Sequence, residues 1–300
     1  MTDITFDEGD RLVVTDPASL PSDPPADLAY RHRSNLLPSV KELWERRETI
    51  LTLAERDIRA SYKQATLGVA WALITPVAYL IIFTLVFTHF THAVRSLDTG
   101  GLPYAVYAYP GILAWNYLAN SVSSGGNSML SNVALLQKTY FPRACFPLSQ
   151  MVEAAAYTVI ALIPLGIVFG IYGVAPKLET LWVPLIALVE LTFAVGVVLA
   201  LSALVVYVRD LVQVIGLLTQ IGMLATPVIW PFSKVPAGWQ PLYGVVNPLG
   251  PVIDSIRRTM LLGYAPHYGP LVAAAVGASV YLVAGYTIFK RLEVGFADIA

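Results

Sequence analysis

Leu191–Val208 reads LTFAVGVVLALSALVVYV, 18 residues without one Asp, Glu, Lys or Arg. Extended back past Glu190, this run is long enough to cross a bilayer core, which takes about 20 apolar residues in a helix. The same signal recurs along the chain. Residues 67–90, 102–137, 154–176, 211–233 and 259–289 are also free of those four side chains. The second run turns polar after Asn120, and Pro266 and Pro270 break the last before its helical part. Six spans follow, at about 68–90, 104–124, 149–172, 181–207, 212–232 and 270–289.

Composition agrees. Of 300 residues, 56% are hydrophobic and 13% charged, with a mean hydropathy of +0.63. A soluble domain carries about a quarter charged residues, so this chain lacks the polar surface to cover a globule. The net charge of −1 gives no basic field for a nucleic-acid partner. Cys145 is the only cysteine, which excludes an internal disulfide framework and a Cys-rich metal site. The first 35 residues are acidic and proline-rich without an apolar core, so no secretory signal peptide is expected.

The fold expected is an all-α integral membrane protein of six transmembrane helices. Residues 1–36 read as a disordered cytoplasmic tail, 37–66 as an amphipathic interface helix and 67–300 as the six-span domain. Both termini fall on one side. With that side cytoplasmic, inner segments hold 14 basic residues and outer segments five, as the positive-inside rule requires.

Three segments outside the spans stand out. In Ser39–Tyr62, Ser39 and Glu42 form a capping-box pattern. Val40, Leu43, Trp44, Ile50, Leu51, Ala54 and Ile58 then recur near helical spacing, with Glu42–Arg46 and Glu55–Arg59 as i,i+4 pairs opposite. This predicts a helix lying in the cytoplasmic interface, or else one packed on a soluble partner. In Ser131–Pro147, Lys138, Tyr140, Phe141 and Arg143 put aromatic and basic groups on a short cytoplasmic loop. Val235–Ile253 is uncharged, yet Pro236, Pro241, Pro248 and Pro251 forbid a continuous helix. A re-entrant hairpin between spans five and six is expected there, because irregular backbone at membrane depth must be shielded by protein.

Catalytic signatures do not occur. There is no Gly-x-x-x-x-Gly-Lys phosphate loop, no His-Glu-x-x-His and no Gly-x-Ser-x-Gly. His89 and His92 are read as interfacial. Glu153 and Glu190 fall in spans three and four, where burying an acid is costly. A proton-coupled transporter would use them, although two acids on different spans make a short relay. Tyr79, Phe83, Phe87 and Phe90 follow at i, i+4, i+8 and i+11 on one face of span one, and Tyr107 and Trp115 lie in an aromatic-rich span two. Singly each reads as packing or interfacial belt. A continuous aromatic stripe also offers sugar rings weak, orientation-tolerant stacking along a channel. Gly166 and Gly170 form a small-residue pattern that suits close helix packing.

The run Arg56–Asp57, Tyr62–Lys63–Gln64, Leu67–Gly68, Trp71 and Pro76 resembles the approach to span one in ABC-2 type permeases that export bacterial polysaccharides. Pro110–Gly111, Trp115–Asn116, Phe141–Pro142–Arg143, Pro147, Arg209–Asp210, Thr226–Pro227, Asn247–Pro248 and Arg257 follow in that family's order. So does the tail Phe289, Arg291, Glu293 and Phe296–Ala297–Asp298, which brings the likeness to residues 40–300. Ala65 departs from a position that is often serine, and the N-terminal extension is long.

The resemblance implies a non-enzymatic permease in the cytoplasmic (inner) membrane, a homodimer bound to two copies of a separate ATPase. That partner would hold ATP and Mg, and this chain no cofactor or metal. Gln137, Lys138, Tyr140, Phe141, Pro142 and Arg143 would dock the ATPase. Arg56, Arg59 and Lys63 would meet an incoming lipid diphosphate, or simply anchor the chain by the positive-inside rule. Tyr79, Phe83, Phe87, Phe90, Tyr107 and Trp115 would line the channel. The implied cargo is a polyprenyl-diphosphate-linked glycan for cell-wall biogenesis, with actinobacterial galactan as one case. Teichoic acid, a lipid or a drug are the alternatives.

Overall fold

An apolar helix with no polar face must be covered by neighbouring helices or by lipid, and this chain does both. The structure is a computed structural model that describes residues 4–6, 12–14, 45–63, 70–86, 99, 101–132 and 142–296. The chain divides into Met1–Ser39 and Val40–Ala300.

In the first unit, β1 (Ile4–Phe6) pairs antiparallel with β2 (Leu12–Val14) in the register Ile4↔Val14 and Phe6↔Leu12. These two short strands lie within residues 1–36, which the sequence reading assigned to the N-terminal tail. Its strands hold Ile4, Thr5, Phe6, Val13 and Val14, side chains that favour extended backbone, around an acidic, Gly-containing connection.

Outside the hairpin the described secondary structure is helical. An amphipathic α1 (Arg47–Lys63) is followed by α2 (Ala70–Leu85), α3 (Tyr104–Ser131) and α4 (Cys145–Ile171). Next come α5 (Val183–Tyr207), α6 (Leu211–Ala225), two short helices α7 (Gln240–Val246) and α8 (Leu249–Arg257), and α9 (Tyr268–Glu293). Among the described residues, three stretches are long and apolar enough to cross a membrane: Cys145–Ile171, Leu178–Tyr207 and Tyr268–Glu293. Only 17% of the most apolar window of α4 is buried. Val159, Leu162, Ile163 and Ile167 on α4, with Leu217, Leu218 and Ile221 on α6, are exposed, an apolar coat that suits lipid and not water.

Two features differ from the sequence reading. The fifth span was expected to reach residue 232, but α6 stops at Ala225 because Pro227 cannot continue a helix and disfavours it in Thr226. The Trp230 indole then caps backward, donating to the Leu224 carbonyl at 3.0 Å. The apolar face of α1 is also rotated from the sequence reading. Ile50 and Ala54 are buried, whereas Leu51 is 55% exposed. Val40, Leu43, Trp44 and the Ser39–Glu42 capping box lie outside the described residues.

Helix α3 is the axis of the bundle. Its side chains from Tyr104 to Met129 are mostly buried, and α2, α4, α5, α6 and α8 all pack on it. The tightest pairing is between α5 and α9. A Cβ placed on Gly285 would collide with the Gly196 carbonyl, and one on Gly196 with the backbone of Tyr281. Glycine at both positions lets the two backbones touch. Gly166 and Gly170, expected to serve close packing, instead face open space. Spacing identifies a small-residue stripe but does not say whether a second helix lies against it.

Gly285→Ala should therefore destabilise the detergent-solubilised protein by about 1–3 kcal/mol, the usual cost of overpacking. Gly166→Ala should leave its thermal unfolding midpoint unchanged or slightly higher. Equal midpoints for the two variants would refute the α5–α9 contact.

Candidate functional site

A polar cleft of about 320 Å³ opens between α1, α2, α3 and α4. Its two main walls are built by helical spacing. On α3, Asn116, Asn120 and Ser124 recur at i, i+4 and i+8, which places them on one face. On α4, Gln150, Glu153, Tyr157 and Thr158 occupy the opposing face. Trp71 and Thr75 of α2 stand at the rim, with the Trp71 indole 54% exposed.

The cleft is held open by bonds to its own scaffold. The Glu153 Oε1 accepts from Tyr157 Oη at 2.9 Å and from Ser61 Oγ of α1 at 3.4 Å. Gln150 donates through Nε2 to Asp57 Oδ2 at 2.7 Å. Asp57 also accepts from Arg56 Nε at 2.7 Å, and Arg56 Nη2 donates to Asn132 Oδ1 at 3.0 Å beyond the end of α3. Helix α1 is thus hydrogen-bonded to both cleft walls or their ends. Among the described residues, the Asn116, Asn120 and Ser124 side chains make no hydrogen bond to the protein.

Sequence reading found Glu153 but missed the Asn116–Asn120–Ser124 stripe. The signal was present, since three amide and hydroxyl side chains at fourfold spacing inside an uncharged span mark one polar face.

Glu190 lies elsewhere. It is buried on α5, its Oε1 lacks a hydrogen-bond partner among the described residues, and it sits in an apolar hollow with Leu113, Tyr117, Leu162 and Ile256.

The other expected site residues divide. Tyr79 and Phe83 stack on α2, ring centroids 6.1 Å apart and planes 17° from parallel, while Phe87 and Phe90 lie outside the described residues. Tyr107 and Trp115 were also expected along the channel. Both are buried, Tyr107 beneath Arg257 and Trp115 against Gly222. Their rings are committed to packing within the chain. Arg59 pairs with Glu55 as expected, and Arg56 with Asp57, so neither guanidinium is without an acid. The Lys63 side chain lies outside the description.

Gln137, Lys138, Tyr140 and Phe141 also lie outside the described residues. Pro142 is half-buried. Arg143 is turned inward, where it donates to the Glu293 carbonyl and stacks over the Phe296 ring at 5.5 Å. Beside it, Tyr207 at the end of α5 donates to the Leu292 carbonyl at 2.8 Å, so Arg143 and α5 both bond the end of α9.

The irregular segment after Ala225 is fixed by Arg257, which is buried and forms no ion pair among the described residues. Its Nε donates to the Tyr107 carbonyl and its Nη1 to the Pro227 carbonyl, both at 2.9 Å, and its Nη2 bonds the Val228 carbonyl. The guanidinium lies over the Tyr107 ring at 4.1 Å. Asn247 Nδ2 donates to Thr226 Oγ1 at 2.9 Å, and Tyr243 Oη to the Ala225 carbonyl at 2.8 Å. In α8, burial pushes the Asp254 carboxyl up from its ordinary range, against the opposing pull of His267, Arg257 and Arg258.

The sequence matches the family described as ABC-2 type transporter over residues 48–261, more than half of the chain. It is 28% identical over 261 residues to the O-antigen export system permease protein RfbA of Myxococcus xanthus, covering 86% of this chain and 98% of that protein. Two proteins of the same name from Klebsiella pneumoniae are 27% and 25% identical over 257 residues, each covering 84% of this chain and 95% of the relative.

Arg257→Lys should keep the charge but lose the planar fork. We expect a loss of about 3 kcal/mol, the worth of one or two charge-assisted hydrogen bonds, read as a lower melting midpoint. A midpoint equal to wild type would mean that the segment after Ala225 does not depend on this residue.

Proposed function

The chain belongs to the ABC-2 type transporter family, and on that premise we propose that it is the permease subunit of a polysaccharide exporter driven by a separate ATPase. The observation that carries this reading is the nearly end-to-end likeness to O-antigen export permeases of two organisms. The absence of a phosphate loop from the sequence supports the assignment of ATP hydrolysis to another chain.

On this reading α2 to α6 and α9 are six spans in the cytoplasmic membrane, with both termini inside. Helices α7 and α8, separated at Asn247–Pro248, dip back from the outer side as a re-entrant pair. Two permeases and two ATPases form the transporter, and the cargo is a polyprenyl-diphosphate-linked glycan, galactan being one candidate.

The ATPase docks on α1 and on the loop from Gln137 to Arg143. Its closure on ATP moves both elements. Through Arg143 the motion reaches the end of α9, and through Asp57–Gln150 and Ser61–Glu153 it reaches α4. Tyr79 and Phe83, with the aromatic side chains that follow them in span one, supply a stacking track for the departing glycan.

Mild extraction of the tagged full chain from its native membrane should bring down a stoichiometric ATPase together with polyprenyl-linked glycan. Tyr140→Asp or Phe141→Asp should remove the ATPase while leaving the permease in the membrane at its normal level. Extraction that yields the permease alone under every mild condition would overturn the assignment.

A further inference from the structure

The geometry points to the cleft between α3 and α4 as a binding subsite for a neutral sugar residue of the cargo, with the anionic lipid diphosphate excluded from it. This inference rests on the polysaccharide-export reading and adds to it a position and a ligand charge.

Three observations carry it. The first is hydrogen-bonding capacity. Asn116 and Asn120 each present an amide that donates and accepts, and Ser124 a hydroxyl, none engaged with the protein among the described residues. A sugar's hydroxyls are donors and acceptors alike, and such mixed groups complement them. The second is charge. None of the described residues lining the cleft is cationic, and Glu153 sits in its wall with Oε1 already accepting two hydroxyls. A diphosphate there would face a carboxylate without a compensating cation, a costly arrangement in a partly dehydrated site. The third is shape. A volume of about 320 Å³ lies at the small end of ligand sites, which run from about 300 to 1,000 Å³. The exposed indole of Trp71 at the rim supplies a flat apolar face for the C–H side of a ring.

The site is distinct from the aromatic track on α2. Stacking there is tolerant of orientation, whereas the amides of α3 fix which hydroxyls a ring must present. A cargo whose repeating unit places hydroxyls to match Asn116 and Asn120 is retained long enough for the next conformational step, and a mismatched one is released.

Saturation-transfer NMR on the full-length permease, co-purified with its ATPase and placed in lipid nanodiscs, tests this directly. The probes are the methyl glycosides of D-galactose, D-mannose, L-rhamnose and N-acetyl-D-glucosamine, with sodium pyrophosphate as the anionic competitor. At least one neutral glycoside should receive saturation. Asn120→Leu and Trp71→Ala should each weaken that binding roughly tenfold, the worth of about 1.4 kcal/mol, and Asn120→Gln should restore part of it. Ser233→Ala, far from the cleft in sequence and exposed, should bind as wild type does.

Both cleft variants should retain the ATPase and the wild-type melting midpoint, which separates lost binding from lost folding. No glycoside binding, binding indifferent to Asn120 and Trp71, or displacement by pyrophosphate overturns the subsite. If the ATPase still co-purifies in that case, the exporter reading stands without it. If no ATPase accompanies the wild-type chain, the exporter reading itself has failed.

Discussion

The packing of α8 and the chain after α6 on α3 depends on one buried cation. Arg257 enters the bundle without an ion pair among the described residues, and the protein answers with backbone carbonyls and an aromatic face. The Tyr107 carbonyl accepts from within α3 through a second lone pair, while those of Pro227 and Val228 are presented by the chain after Ala225, where α6 has ended. The guanidinium also needs room beside α3. A Cβ on Gly111 would lie 2.5 Å from Nη2, so glycine is required there for lack of space and not for any backbone torsion. A proline that stops α6, a glycine on α3 and an arginine on α8 are thus parts of one arrangement. Remove the cation and three carbonyls lose their partner away from water, each a penalty of about 1–3 kcal/mol.

Around that anchor the bundle is arranged with its polar helix inside. Helix α3 is the most enclosed of the long helices, yet it carries Asn116, Asn120, Ser121, Ser124 and Ser128 and is not among the stretches apolar enough to span on composition alone. The more apolar α4 and α6 turn much of their surface outward. In water this would be inside out. In a bilayer it is the expected order, because lipid is the apolar solvent and polar groups gain from other protein or from a wet cavity. The cleft is the place where α3's polar face is left uncovered.

How much of this was legible in the sequence depended on whether a feature is local. The apolar helices were, because long uncharged runs state their own length, and three of them among the described residues are long and apolar enough to cross a membrane. The Pro227 and Pro248 breaks were visible as residues, but the end of α6 was placed seven residues late because hydrophobicity continues to Phe232 while helix does not. Features that need a partner were not legible. Gly166–Gly170 and Gly196 look alike as small residues, and only the position of α9 shows which one touches another backbone. Tyr107 belongs to an aromatic-rich stretch in sequence, while in space it is the platform for Arg257, 150 residues away. Arg143 reads as an exposed basic residue of a loop, but Phe296 and the Glu293 carbonyl draw it inward. The motifs Pro110–Gly111, Thr226–Pro227, Asn247–Pro248 and Arg257, each weak and unconnected along the chain, meet at one locus.

The same convergence bears on how force enters the molecule. Helix α1 is surface-exposed on most of its turns, and its Glu55–Arg59 pair contributes little to holding it in place. Its hydrogen bonds run from Asp57 to Gln150, Ser61 to Glu153 and Arg56 to Asn132, reaching the first turns of α4 and the residue just after α3. A helix attached by a few directional bonds to the two walls of a cleft transmits displacement to both, whereas attachment through a broad apolar seam would let it slide. The two ends of α3 are thus engaged differently, Tyr107 near its start by the buried Arg257 and Asn132 just beyond its end by Arg56 of α1.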